Sequence, residues 1–275
     1  MKQENGKTES ASLLEARAED LLRAADRSAP ALSAFLSPAE RGIVERFFAM
    51  RGEQARVRFW GGYPEAERVR LYLLPGYCLS IPEYLPPPDT DPALVLDDGD
   101  LTDAVVALRI QGSGFRELAH RDYLGSLLGL GLERDALGDI AVQDAHAAVV
   151  FCTGQVRRFL LEHLERIAND RVQCKPWAPG EPFTCGRKTV AVSDTVASAR
   201  LDCAVAALAG LSREEARARI TAGLVELDYT VVTRTDLQLS PPHMLSVRGV
   251  GRFRLLCFDG ETRKGRLRLR AEKFV

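Results

Sequence analysis

Apolar positions recur along this chain with two periods, and the change from one to the other outlines its parts. Helical spacing comes first. Leu14, Leu21 and Leu22 share one side of an Ala/Glu/Arg-rich run over residues 13–27, which Pro30 terminates. The polar residues 1–10 before it are expected to be disordered. A second helix starts at Ser37-Pro38-Ala39-Glu40, with Ser37 as cap and Pro38 in the first helical position. Its buried face is Ile43, Val44, Phe47 and Phe48. Strand-like runs follow at 56–60 and 69–74, a hairpin-like pair around Gly61-Gly62-Tyr63-Pro64-Glu65-Ala66-Glu67-Arg68. That loop carries more polar and aromatic side chains than a turn requires, which makes Tyr63 and Arg68 candidates for a contact. Residues 75–103 are a proline-rich connector ending in the acidic run 97–100, whose spacing does not suit a calcium loop.

The next stretch predicts a strand at 104–110, a helix at 120–130, strands at 140–143 and 147–152, a helix at 154–167 and a strand at 171–174. This β-α-β-β-α-β order is that of a ferredoxin-like, RRM-like plait. The aromatic stacking motif of a true RRM is missing, so the surface is not an obvious reader of single strands. His120 and Arg121 head its first helix and are a second candidate contact. Residues 175–185, with Pro176, Pro179 and Pro182, read as a linker. The expected organisation is α+β: an N-terminal helical segment (1–52), the plait (53–174), the linker, and a C-terminal α/β domain (186–275).

Composition narrows the function classes. The 275 residues are 46% hydrophobic and 27% charged, with no apolar run near the ~20 residues of a membrane span. The N-terminus lacks a signal peptide's apolar core, and six scattered cysteines form no C-x-x-C pair. A cytoplasmic protein with reduced thiols is expected, without metal or cofactor. Four histidines have no metal-ligand spacing. The net charge of −1 conceals an asymmetry: from Gly186 onward there are 16 Lys+Arg against 10 Asp+Glu. A basic end on an acidic body points to a polyanionic partner.

The basic end also holds the most informative string. Leu201, Val205 and Leu208 define a short helix that Gly210 stops. Ser212 and Glu215 then form a capping box for a second helix, which Gly223 ends. Arg213 and Arg217, four apart, share one face of it, while Ala216 and Ile220 point elsewhere. R-L-D, S-R-x-x-A-R, I-x-x-G-x-V and V-R-G-V-G-R-F-R together resemble the RNA-binding domain named after ribosomal protein S4. Two positions depart from that pattern: Asp228 stands where Asn is usual, and Pro242-His243 where Gly-Asp is frequent. The resemblance implies RNA contacts from Arg200, Asp202, Ser212, Arg213, Arg217, Ile220, Gly223, Arg248, Arg252 and Arg254. Alternation in Arg266-Leu267-Arg268-Leu269-Arg270 predicts a strand with its arginines on one face, a second basic surface on which Arg266 and Arg268 extend the RNA contact begun by Arg252 and Arg254; the alternative is a solubilising edge strand.

Three stretches taken together, 61–68, 120–142 and the C-terminal module, resemble the YlmH family of bacterial S4-domain proteins. That resemblance implies binding to structured RNA, association with the large ribosomal subunit and with peptidyl-tRNA on stalled ribosomes, and older links to cell division. It implies no catalytic residue, no cofactor, no specificity for DNA and no membrane contact; a monomer is expected. Two other classes stand beside it. An RNA-modifying enzyme is suggested by H-R-D-Y-L-G-S-L-L, an imperfect echo of a pseudouridine-synthase motif that would make Asp122 the nucleophile. A division-site adaptor would leave the arginine face without a use.

Overall fold

The structure is a computed structural model. It describes residues 2–275 apart from 28, 82, 84, 88, 89, 93–103, 179, 180, 182, 184, 186–188 and 264, with backbone alone for 2–10. The acidic run 97–100 and parts of the linker therefore lie outside the described residues. The fold is mixed α+β with three antiparallel sheets, in two compact units, Met1–Gly186 and Arg187–Val275.

The first unit begins with α1 (Lys2–Ala25), β1 (Ala31–Leu36), α2 (Pro38–Met50), β2 (Val57–Trp60) and β3 (Val69–Leu73). Helix α1 starts inside the stretch expected to be disordered. Ser37 caps α2 by accepting from the Glu40 amide, and Glu40 accepts from the Ser37 amide at 2.7 Å. Strand β1 was not foreseen: six residues between two helices are too few to declare a period. It pairs with β3, giving the order β1-β3-β2. The strand pair assigned by sequence to the central plait thus completes an N-terminal sheet, and a boundary at residue 52 passes through that sheet. Leu14, Val44, Phe47, Phe48, Leu71 and Leu73 form its core against α1 and α2.

The central part runs β4 (Val106–Gly112), α3 (His120–Gly129), β5 (Leu137–Val142), β6 (Ala147–Cys152), α4 (Gly154–His163), β7 (Arg166–Ile167) and β8 (Asp170–Pro176). All pairs are antiparallel in the order β5-β6-β4-β8-β7. Helix α4 stops at His163, short of the predicted Ile167. Ile167 is buried in β7 instead, next to a turn where Ala168 takes φ 51°. Helices α3 and α4 cover one sheet face through Tyr123, Leu127, Val156 and Leu160. On the other face Val149 and Phe151 lie against Tyr63, Trp177 and Phe183.

The second unit holds β9 (Thr189–Val196), α5 (Leu201–Ala209), α6 (Arg213–Thr221), β10 (Val225–Leu227), β11 (Thr230–Val231), β12 (His243–Val247), β13 (Gly251–Glu261) and β14 (Leu267–Phe274). Its sheet order is β11-β10-β12-β13-β14-β9. Leu201, Val205, Ala216 and Ile220 of the helices pack on Leu245, Phe253, Leu255 and Leu269. Strand β14 is therefore interior, not an edge. The edge beside it is β9, whose mostly exposed T-V-A-V-S-D-T-V gives no in–out alternation to read. The two departures in the hairpin meet: Asp228 (φ 46°) accepts from His243 Nδ1 at 2.7 Å and from the Met244 amide at 2.8 Å.

The double glycine of the 61–68 loop has a steric cause. A Cβ on Gly61 would lie 2.3 Å from the Arg68 carbonyl oxygen, and one on Gly62 (φ 100°) 2.1 Å from the Phe151 ring. That ring is wedged between Tyr63 and Phe183 and cannot swing clear. Gly62→Ala is expected to destabilise the first unit by about 3 kcal/mol, from overpacking and backbone strain combined. Denaturant unfolding measures it; an unchanged midpoint would contradict the contact.

Candidate nucleic-acid interface

Asp202 sits in the first turn of α5 and is fully buried. A carboxylate taken out of water must be paired and hydrogen-bonded. Arg200 donates to it from Nε and Nη2 at 3.1 and 3.2 Å, Arg213 from Nε at 3.1 Å, and Arg217 from Nε at 2.9 Å. The Cys203 amide adds a bond of 3.0 Å. Local sequence sets this up. Gly210, at φ 63°, turns the chain between the helices, and the Ser212/Glu215 capping box starts α6. Arg213 and Arg217, one helical turn apart, then converge on a single carboxylate oxygen.

Three guanidinium groups on one carboxylate leave a net charge of +2. The side chains of Arg213 and Arg217 are 48% and 49% exposed. Each turns its Nε inward, and among the described residues neither terminal Nη has an acceptor. Burial alone would raise the Asp202 pKa, but the hydrogen bonds from Arg200, Arg217 and Arg213 outweigh it and hold the carboxyl well below the usual range. The result is a fixed, half-exposed cation cluster at the start of α6, where backbone N–H groups already favour an anion.

The other predicted RNA residues divide by position. Asp202 and Ile220 are buried and reach no external ligand; one holds the arginines and the other packs the core. Ser212 is the cap of α6. Gly223, at φ 70°, follows the end of that helix. Arg248 is exposed in the β12–β13 turn, and its carbonyl accepts from Arg219 at 2.9 Å, an anchor that sequence inspection missed. Arg252 and Arg254 lie over the Phe274 ring at 5.4 and 5.5 Å, with Glu272 3.6 Å from Arg254. Arg268 is exposed opposite Thr195, and Arg266 donates to the Thr195 carbonyl. Since Phe253, Leu255 and Leu269 face the helices, Arg252, Arg254 and Arg268 lie on the sheet's other side. The predicted residues thus form two faces, one on the helix pair and one on the open side of the sheet.

The candidate contacts of the first unit mostly turn inward. Tyr63 is buried and donates to the carboxylate of Asp139 at 2.7 Å, which also accepts from the Glu67 and Arg68 amides. Arg68 donates to the carbonyls of Leu137, Phe35 and Arg134. These two residues fasten the 61–68 loop to β5. His120 and Arg121 are exposed at the start of α3. Desolvation and the nearby Arg134 lower the His120 pKa. Asp122 accepts from the Ala119 amide at 2.8 Å, capping α3, and stands 3.6 Å from Arg116. Among the described residues no group of three or more His, Cys, Asp or Glu could hold a metal ion.

Asp202→Asn removes the charge that holds three arginines together and is expected to cost about 3 kcal/mol at neutral pH. Because the folded pKa is depressed, wild-type Asp202 stabilises the fold above the unfolded carboxylate value of about 4 and loses that contribution as pH falls through the lower folded value. The stability gap between wild type and variant, followed by denaturant titration, should persist from pH 7 to 5 and close only in stronger acid. A gap that is absent at pH 7 would contradict the pairing.

Comparison with known proteins bears on the chain as a whole. Residues 104–179 match a family model described as "Putative RNA-binding domain in YlmH". The chain is 28% identical over 243 residues to ribosome-associated protein quality control protein P2 of Bacillus subtilis, covering 88% of this chain and 86% of that protein. A solved structure, cell division protein ylmH from Streptococcus pneumoniae, aligns with a TM-score of 0.47 at 18% identity, over 64% of this chain and 95% of its own. The family model lies on the central sheet and the likeness to the Bacillus protein runs along most of the chain, so the chain is similar to proteins of the YlmH family.

Proposed function

We propose that this protein is a non-enzymatic RNA-binding factor that acts on the large ribosomal subunit in the quality control of stalled ribosomes, contacting structured rRNA and tRNA. The carrying observation is the cluster of Arg200, Arg213 and Arg217 around buried Asp202. Guanidinium groups held rigid, with outward Nη donors, contact a phosphate backbone at little cost in side-chain entropy. Structured RNA is read largely through such shape and phosphate contacts. The C-terminal unit is in this reading an S4-type module. The central sheet, with its split βαβ halves, is a ferredoxin-like plait. The name of the Bacillus relative supports the ribosomal setting. The cap made by Asp122 favours a structural use of the H-R-D motif over a catalytic one. Among the described residues no helix is long and apolar enough to cross a membrane. A cytoplasmic monomer is the form proposed.

Arg213→Gln/Arg217→Gln is the test, glutamine being chosen because its amide still donates to Asp202. Structured RNA binding should weaken, and the slope of log affinity against log salt should flatten by about one to two units. Co-sedimentation with ribosomes should fall in parallel. Because these side chains also partner a buried charge, unfolding must be measured alongside, with a loss of about 1–2 kcal/mol expected. A folded variant that binds RNA and ribosomes like the wild type at every salt concentration would remove this face from the interface.

A further inference from the structure

The central sheet has an open strip that the C-terminal interface does not use. On β8, Val172 and Cys174 face the helices, so Arg171, Gln173 and Lys175 stand on the opposite face, all exposed. Across from them the register places Arg109 against Lys175, and Arg166 against Arg171. Two pairs of like charges face each other directly, an arrangement that costs stability in an isolated sheet. Among the described residues only Arg109 has an acid within ion-pair distance, Glu181 at 3.8 Å. Arg166, Arg171 and Lys175, with no acid at ion-pair distance among the described residues and spread over about 13 Å counted along β8, form a receptor for a chain of negative charges.

An exposed aromatic ring stands on the loop after β4, whose Ser113 amide meets the Arg171 carbonyl at one end of this strip. Phe115 is 87% exposed, more than any other large hydrophobic residue described. A single exposed apolar side chain is ordinary on a loose loop, but this loop is built. The Ser113 amide and hydroxyl both donate to Asp170, a carboxylate only 2% exposed, and the Ser113 amide also donates to the Arg171 carbonyl at 3.0 Å. The Phe115 amide donates to Ser113 Oγ at 3.2 Å. The Gly112 and Leu118 amides reach the neighbouring hairpin turn, at His146 and Ala145, each at 2.7 Å. A Cβ at Gly112 would come 2.8 Å from the Asp170 carboxylate. A buried charge, a required glycine and bonds to two turns together hold a ring in water.

We infer that the exposed edge of the central sheet binds a single-stranded stretch of RNA, with Phe115 as the platform on which an unpaired base stacks and Arg166, Arg171 and Lys175 as its phosphate contacts. Stacking on a fixed ring beside a cationic groove is how single strands are held without sequence preference. The usual strand-borne aromatics are absent, and a loop residue takes their place. An apolar protein partner anchored on Phe115 would gain nothing from the unpaired Arg166, Arg171 and Lys175, so the charge favours a polyanion such as RNA.

The inference rests on the chain being an RNA-binding protein, and the experiment separates the two. The full chain is titrated with a labelled oligouridine 12-mer and with a stable RNA hairpin, comparing wild type, Phe115→Ala, Phe115→Trp, Arg166→Gln/Arg171→Gln and Arg213→Gln/Arg217→Gln. Phe115→Ala, a surface change that leaves the fold intact, should lower oligouridine affinity about tenfold without altering its salt slope. Phe115→Trp should restore it, and Arg166→Gln/Arg171→Gln should flatten the slope by about one to two units. Hairpin binding should depend on Arg213 and Arg217 and not on Phe115. Oligouridine binding that ignores Phe115, or is absent in the wild type, overturns the inference while the hairpin result still judges the C-terminal interface. Loss of ribosome co-sedimentation in Phe115→Ala with unchanged oligouridine binding would make the ring a protein contact and overturn it equally.

Discussion

A single carboxylate sets the geometry of the C-terminal unit. Asp202 has no contact with water, and a buried ionised group is tolerated only where donors replace its hydration shell. Arg200 from before α5, Arg213 and Arg217 from α6, and the Cys203 amide together supply that shell. The helix pair is therefore tied together by charge as well as by its apolar seam. The same pairing aims two guanidinium groups at solvent. In the proposed function the fold and the RNA contact share this interaction: removing the acid would free the arginines to wander, and removing the arginines would strand the acid.

The device recurs. Asp139 and Asp170 are the other buried acids of the described chain, and each holds one loop. Asp139 gathers the Tyr63 hydroxyl and two amides of the 61–68 loop, fastening it to β5. Asp170 holds Ser113 and, through it, the segment that displays Phe115. In all three places a short acid with several donors fixes a polar segment that apolar packing could not position. Apolar cores place the sheets and helices, while these carboxylates decide which side chains face outward.

Much of this was legible in the sequence, and the gaps have physical causes. The βαββαβ order of the central sheet and the α5–α6 pair follow from apolar period, caps and glycines. Strands β1, β7 and β9 left no such signal, being too short or too exposed to alternate. Arg213 and Arg217 were found by their spacing and Arg200 by resemblance, but their tie to Asp202 was not, because burial of a polar residue is a tertiary property. The structure makes them the partners of a buried charge. Tyr63 and Arg68 stood out for their chemistry yet serve an internal joint. Phe115 was passed over because a lone aromatic in a glycine-bearing loop looks accidental until the bonds beneath it are seen.

The central claim is that the arginine cluster is fixed before RNA arrives, and the Nε–H protons of Arg213 and Arg217 report on it directly. Their exchange with solvent can be followed by ¹⁵N-resolved NMR on the free protein. Two dispersed, slowly exchanging Nε–H signals, lost in Asp202→Asn, are the predicted result. Signals that exchange as fast as those of an unpaired surface arginine in the wild-type protein would contradict the account.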